Sequence, residues 1–327
     1  MTCSAGSAAP LFVVFNIGSG HGDAAAARAV ITQACAAAGR SVKLLAVDDP
    51  KRIGSVAREA VRLARDVSGI VVAAGGDGTI NAVAQATLGS GCAFGVLPQG
   101  TFNYFSRTHG IPADTAAAMQ VLLFEAAAPV QVGLVNEQLF LVNASLGLYP
   151  RLLEDREAWK RQLGRSRWVA FGAGLLTLLR GARSLRLHIE VQGQTRDVRT
   201  PTLFVGNNAL QLAQLGFPEA QAVGRGELAA IMLRPVGRLR LLGLVLRGAF
   251  GQLGDADQVT SFPFRNLVVR RARALGRRRV KVATDGEITW QSQPLTFRVS
   301  PEPLLLIRPA EPAVVAVVPA EGAEGAA

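Results

Sequence analysis

Along the chain, the pattern of apolar and polar positions changes character once, near residue 130. Before that point short apolar runs alternate with helical stretches. Leu11–Phe15 is apolar, and Asp23–Ala38 is Ala-rich and helical. Val42–Val47 reads as a strand and Lys51–Val67 as an amphipathic helix. Ile70–Ala74 predicts a third strand, Thr79–Leu88 a helix, Ala93–Leu97 a fourth strand and Ala113–Glu125 a further helix. Strand-length apolar runs alternating with helices imply a parallel sheet with helices on both faces.

Beyond residue 130 the crossovers stop. Val130–Leu134, Leu139–Asn143, Leu185–Val191 and Leu203–Val205 read as strands. In the third, Leu185, Leu187, Ile189 and Val191 alternate with Arg186, His188 and Glu190, the period of a half-buried strand. Gln192–Gln194 supplies a turn. Leu267–Ala274 and Arg277–Ala283 follow as strands joined at Leu275–Gly276. Leu152–Arg180, with a break at Gly164–Ser166, and Val236–Leu253 have helical character. The expected fold is an α/β N-terminal domain over 11–129 and a mostly antiparallel β domain over 130–308. Residues 1–10 and 309–327 read as disordered tails.

Composition adds two constraints. Hydrophobic residues make up 49% of 327 and charged residues 18%, enough for sizeable cores. The net charge of +11 lies wholly in residues 151–327, because residues 1–150 hold nine Lys/Arg and nine Asp/Glu. A neutral half suits a small-molecule site, and a basic half suits phospholipid headgroups or nucleic acid. Cys3, Cys35 and Cys92 have no zinc or disulfide spacing, which points to a reducing, cytoplasmic setting. Met1–Pro10 lacks a signal-peptide pattern, and the longest apolar run, Trp168–Leu179, is too short to span a membrane.

The chemistry concentrates in three loops that follow predicted strands. The main one runs Gly75-Gly76-Asp77-Gly78-Thr79-Ile80-Asn81. Glycines let a backbone approach a phosphate, and the next helix offers free N–H groups. Asp77 adds a carboxylate suited to a magnesium ion. The spacing fits neither the dinucleotide-binding nor the P-loop pattern. A tight turn capped by Asp77 or Thr79 is the plainer alternative. Asn16-Ile17-Gly18-Ser19-Gly20 follows the first strand and reads equally as a phosphate contact or a plain loop. Pro98-Gln99-Gly100-Thr101-Phe102-Asn103 follows the fourth strand, with Gly100 allowing close approach and Thr101 and Asn103 supplying hydrogen bonds.

Gly75–Thr79, read as GGDGT, together with Pro98-x-Gly100-Thr101-x-Asn103, resembles the diacylglycerol kinase catalytic domain family, which includes bacterial soluble lipid kinases and has sphingosine and ceramide kinases as relatives. Asn16–Gly20 is similar to the family's first motif, with Ile17 in place of proline. Asn143-Ala-Ser-Leu-Gly147 and Asp285-Gly286-Glu287 resemble two further family stretches. The resemblance spans 11–308. It implies ATP and Mg2+ in a cleft between an α/β domain and a β-sandwich that holds the lipid. It assigns ATP binding to Gly75, Gly76, Asp77, Gly78, Thr79, Ile80, Asn81 and Thr101, and the loop chemistry adds Asn16, Gly100 and Asn103 as candidate contacts. Glu287 becomes the proton acceptor beside Asp285; if these carboxylates face Asp77 across the cleft, Asp77 and Asp285 are the candidate magnesium ligands. Two positions depart from the family: Tyr104 stands where Asp is frequent, and Arg225-Gly226 stands where a metal loop has Asp-Gly. Backbone carbonyls around Val223–Glu227 remain as donors there.

The implied reaction moves phosphate from ATP to a lipid hydroxyl, with diacylglycerol as first candidate. That reaction needs a base for the hydroxyl, which Glu287 or Asp285 can supply. Taken alone, Asp285-Gly286 between two strands is also an ordinary hairpin turn. Arg156, Lys160, Arg161, Arg165, Arg167, Arg180, Arg183 and Arg186, with Trp159 and Trp168, suit either peripheral contact with an anionic membrane or a solvated basic face. The Arg270–Arg279 cluster lacks aromatics, so nucleic acid is not an expected partner. A homodimer is compatible with the sequence. The rival readings are NAD kinase, which shares GGDGT, and a degenerate lipid- or nucleotide-binding member without transfer.

Overall fold

The computed structural model describes residues 9–19, 24–100, 102–147, 184–235, 237, 254, 256–272 and 279–310. The expectations for the 1–8 and 311–327 tails, for the helix and the basic residues within 148–183, and for the helix over 236–253 apart from residue 237, lie outside these residues.

The first sheet begins with four parallel strands: β1 (Leu11–Asn16), β2 (Val42–Val47), β3 (Ile70–Gly75) and β4 (Ala93–Pro98). Five helices belong with them: α1 (Ala24–Ala37), α2 (Ile53–Asp66), α3 (Asp77–Thr87), the single turn α4 (Tyr104–Thr108) and α5 (Thr115–Phe124). β3 and β4 are buried along their whole length, which is why they read as unbroken apolar runs. α2 buries Ile53, Val56, Ala57, Ala60, Val61 and Ala64, a stripe with helical period. Strand order β2-β1-β3-β4 puts the direction change between β1 and β3. Their C-terminal loops therefore open side by side, where ligands bind in such sheets.

Two more strands complete this sheet. β5 (Ala127–Val130) pairs antiparallel with β18 (Leu304–Ile307), and β18 lies parallel to β4. A domain boundary at residue 130 assigns Leu304–Ile307 to the second region. The topology returns this apolar tetrad to the first sheet, beside a buried edge that its own pattern does not identify.

The rest forms two six-stranded sheets. One runs β10 (Gln194–Thr200), β9 (Leu185–Val191), β14 (Asn266–Arg271), β17 (Leu295–Val299), β6 (Gly133–Val135) and β7 (Gln138–Phe140). The other runs β13 (Val259–Phe264), β12 (Leu228–Leu233), β11 (Thr202–Gly206), β8 (Asn143–Gly147), β15 (Arg279–Thr284) and β16 (Glu287–Ser292). Phe140, Leu146, Leu187, Val205, Phe264 and Phe297 are among the residues that fill the shared core. Two short helices, α6 (Ala209–Gln214) and α7 (Ala220–Val223), follow β11.

Three local expectations need correction. The predicted strand Val130–Leu134 is two strands in different sheets, β5 and β6. Leu139–Asn143 likewise divides between β7 and β8. Leu267–Ala274 and Arg277–Ala283 are not adjoining strands, because β14 and β15 belong to different sheets. In each case an apolar run shows strand character without showing its partner.

Candidate active site

Three loops meet at the C-terminal edge of the first sheet. α3 starts at Asp77, two residues before the predicted helix, with Gly76 as its N-cap and no side chain capping it. Its opening turn thus presents backbone N–H groups to a ligand, with positive helix-dipole character. Gly75 is required by packing: a Cβ there would lie 2.6 Å from Thr79 Cβ. Gly76 and Gly100 face each other, since a Cβ on Gly100 would lie 3.1 Å from Gly76 Cα. Gln99 N donates to Gly75 O at 2.8 Å, which joins the β3 and β4 loops.

Side chains lock this edge. Asn16 Nδ2 donates to Thr79 Oγ1 at 2.9 Å, tying the β1 loop to α3. Ser19 Oγ donates to Gln99 Oε1 at 2.9 Å, a contact with no sequence signal. Asn103 sits in the left-handed region at φ 47°. Its amide folds onto Gly100, with Nδ2 donating to Gly100 O at 2.8 Å. Its N–H donates to Asp77 Oδ2 at 3.3 Å. Thr79 and Ile80 are buried, and Ile80 N–H is spent on Gly76 O. Their side chains build the loop and face away from solvent. Gly20 and Thr101 lie outside the described residues.

Asp77 is the group with spare capacity. Its Oδ1 is buried and has no hydrogen-bond partner. Burial raises its pKa, opposed by backbone hydrogen bonds from Asn103 and from its own N–H. A buried carboxylate oxygen left open beside a helix N-terminus fits a cation carried on phosphates. Asp77 is therefore a chemically suitable magnesium ligand.

Asp285 is the reverse case. Its Oδ1 accepts from Val142 N at 2.8 Å and Asn143 N at 2.9 Å. Its Oδ2 accepts from Leu141 N at 2.7 Å and Asn81 Nδ2 at 2.7 Å. Burial raises its pKa, and the four N–H donors act against that. None of the four can accept a proton, so the shell is built for the carboxylate. An aspartate has about four acceptor positions, and donors occupy them all. The expectation of Asp285 as a magnesium ligand does not fit this environment. Asn81 is likewise turned from nucleotide, because its Nδ2 serves Asp285 and Leu139 O.

Glu287 comes to the glycine loop from the other half. Asp285 and Gly286 have φ of 48° and 89°, and Thr284 pairs with Glu287 across them. Two consecutive positive φ values make the hairpin turn whose strand twist suits a β ribbon. The first residue after it, Glu287, is exposed, and a Cβ on Gly78 would lie 3.3 Å from its Oε1. The carboxylate thus stands over the opening turn of α3. The turn and functional readings of Asp285–Glu287 are compatible.

The departures are visible too. Tyr104 stacks with Phe102 and lies under Arg107, with ring centroids 6.2 Å apart in the first pair. The carbonyls of Val223 and Glu227 accept from Gly226 N and Gln131 Nε2. Among the described residues no group of three His, Cys, Asp or Glu could hold a metal, and no helix is long and apolar enough to cross a membrane.

Known proteins share parts of this sequence and this fold. Residues 10–135 match the diacylglycerol kinase catalytic domain. A Klebsiella pneumoniae (strain 342) protein named "Probable lipid kinase YegS-like" is 32% identical over 140 residues, covering 42% of this chain and 46% of the relative. The diacylglycerol kinase of Bacillus subtilis (strain 168) is 36% identical over 129 residues, covering 38% and 41%. The chain thus spans less than half the length of these two curated relatives. The crystal structure of a diacylglycerol kinase from Bacillus anthracis str. Sterne superposes with TM-score 0.67 at 21% identity, covering 94% of this chain and 98% of that one, and shares the fold. NAD kinase is not favoured by these matches. Residues 10–135 of this chain are thus similar to the diacylglycerol kinase catalytic domain.

Proposed function

We propose that this chain transfers the γ-phosphoryl group of ATP to a lipid hydroxyl, with diacylglycerol as the first candidate and phosphatidic acid as the product. The observation that carries the reading is the Glu287 carboxylate over the N-terminal turn of α3. Helix N–H groups and the glycines at 75, 76, 78 and 100 form a cradle for phosphates. Glu287, from the opposite half, is placed to meet an incoming hydroxyl at that cradle.

In the proposed step the acceptor oxygen forms a bond to the γ-phosphorus while the bond to the β–γ bridging oxygen breaks. The hydroxyl proton goes to Glu287, and ADP leaves. Asp77 would hold a magnesium ion, which when bound supplies charge neutralisation for the phosphates. Asn103 orients Asp77 through its backbone N–H. The resemblance names a metal loop at Arg225, but no step requires it.

Peripheral contact with an anionic membrane is part of the proposal. It is supported by the outward row of β9 and β10, where Arg186 lies directly opposite Arg199. In the next row Arg270 lies opposite His188, which itself pairs with Asp197. Arginines side by side favour an anionic surface, at about 1 kcal/mol per basic residue.

The test offers γ-labelled ATP with diacylglycerol vesicles, a total lipid extract, or NAD. Label in the organic phase is expected. Label on NAD alone, or on no acceptor, would overturn the reading.

A further inference from the structure

Resting on the kinase reading above, we infer that Asp285 is a positioning residue: its carboxylate clasps the two halves of the chain and aims Glu287, and it binds no metal. Its partners come from separate places in the fold. Asn81 belongs to α3, behind the phosphate cradle. Leu141, Val142 and Asn143 form the stretch where the chain passes from β7 in one sandwich sheet to β8 in the other. Asp285 N–H also returns a bond to Asn143 O at 2.9 Å. One residue therefore links the nucleotide helix, the crossing between the sheets and the turn that ends on Glu287.

The chemistry selects aspartate. Each oxygen meets two N–H donors, so an asparagine would aim its own NH2 at donors. A longer glutamate would displace the turn. A cation placed here would have to expel N–H groups whose loss leaves them buried and unpaired. The left-handed φ of 48° at Asp285 is held by these same bonds, and the direction of Glu287 follows from it. The open oxygen of Asp77 stands in contrast: there a ligand adds a bond and breaks none.

The test uses the full chain with Asp285→Asn and Asn81→Ala. Hydrogen exchange at the Leu141–Asn143 amides is read first, without any acceptor. Asp285→Asn should speed it ~10-fold or more, as expected when a buried shell loses its acceptor. Phosphoryl transfer should fall while the KM for Mg-ATP stays within about twofold, the pattern of a misaligned group. Excess magnesium should not restore the rate. Unchanged exchange, with a magnesium half-saturation that rises and is rescued by excess metal, would overturn the inference. If Asp285→Asn does not fold, Asn81→Ala removes one donor of the four. It should lower kcat at unchanged KM, and an unaffected kcat would overturn the inference. If wild type phosphorylates no lipid, the kinase reading falls, and amide exchange still decides the clasp.

Discussion

Asp77 and Asp285 are both half-buried aspartates with raised pKa, one in each half of the chain, and they are wired in opposite ways. Asp77 begins a helix, accepts from the backbone N–H groups of Asn103 and of its own residue, and leaves Oδ1 open. Asp285 begins a turn and has both oxygens filled by N–H donors. The open one has room for a ligand from outside, and the closed one joins three parts of the protein. Two half-buried residues of one type thus sit in opposite hydrogen-bond environments, and their partners separate them. Glu287, two residues beyond the closed aspartate, stays exposed and chemically free.

The sharpest break of this contrast is Glu287→Gln. It should keep nucleotide affinity and slow transfer to lipid about 100-fold or more, the scale of losing a general base. Single-turnover transfer and equilibrium nucleotide binding measure the two sides. Gly75→Ala probes the packing beneath the open aspartate. A Cβ 2.6 Å from Thr79 should destabilise the fold by about 1–3 kcal/mol, read by urea denaturation.

The pH dependence of Asp77 is a smaller effect with a definite sign. Burial lifts its pKa above the ordinary 3.8, so the unfolded chain ionises this group first as pH rises. Stability is lost from about 3.8 upward until the raised folded value is passed. Asp77→Asn has no such proton to lose. Its melting temperature should therefore gain on wild type from acid to neutral pH, even as nucleotide binding suffers. Smallest of all, Asn16→Ala should cost about 1 kcal/mol by leaving Thr79 Oγ1 without its donor.

Much of the first half is legible from residue pattern alone. β1, β3 and β4 are buried on both faces, and α2 carries a clean apolar stripe, so period and length identify them. The glycine loops declare themselves because close approach demands glycine. The second half reads less well for a physical reason. β10, Gln194–Thr200, is polar and exposed, and becomes a strand only by pairing with β9. β18 is legible as apolar but not as a member of the first sheet. In the site, residue type marks Asp77, Asp285 and Glu287 as chemical without dividing their labour. The division depends on Leu141–Asn143 main-chain groups, which any sequence possesses, and on an approach across 142 residues or more.

The most direct measurement is a side-by-side titration of Mg-ATP binding to wild type, Asp77→Asn and Asp285→Asn. The contrast between the two aspartates predicts that Asp77→Asn loses the magnesium-dependent part of nucleotide affinity, while Asp285→Asn binds Mg-ATP as wild type does. Loss of metal-dependent binding in Asp285→Asn, with Asp77→Asn unaffected, would contradict it.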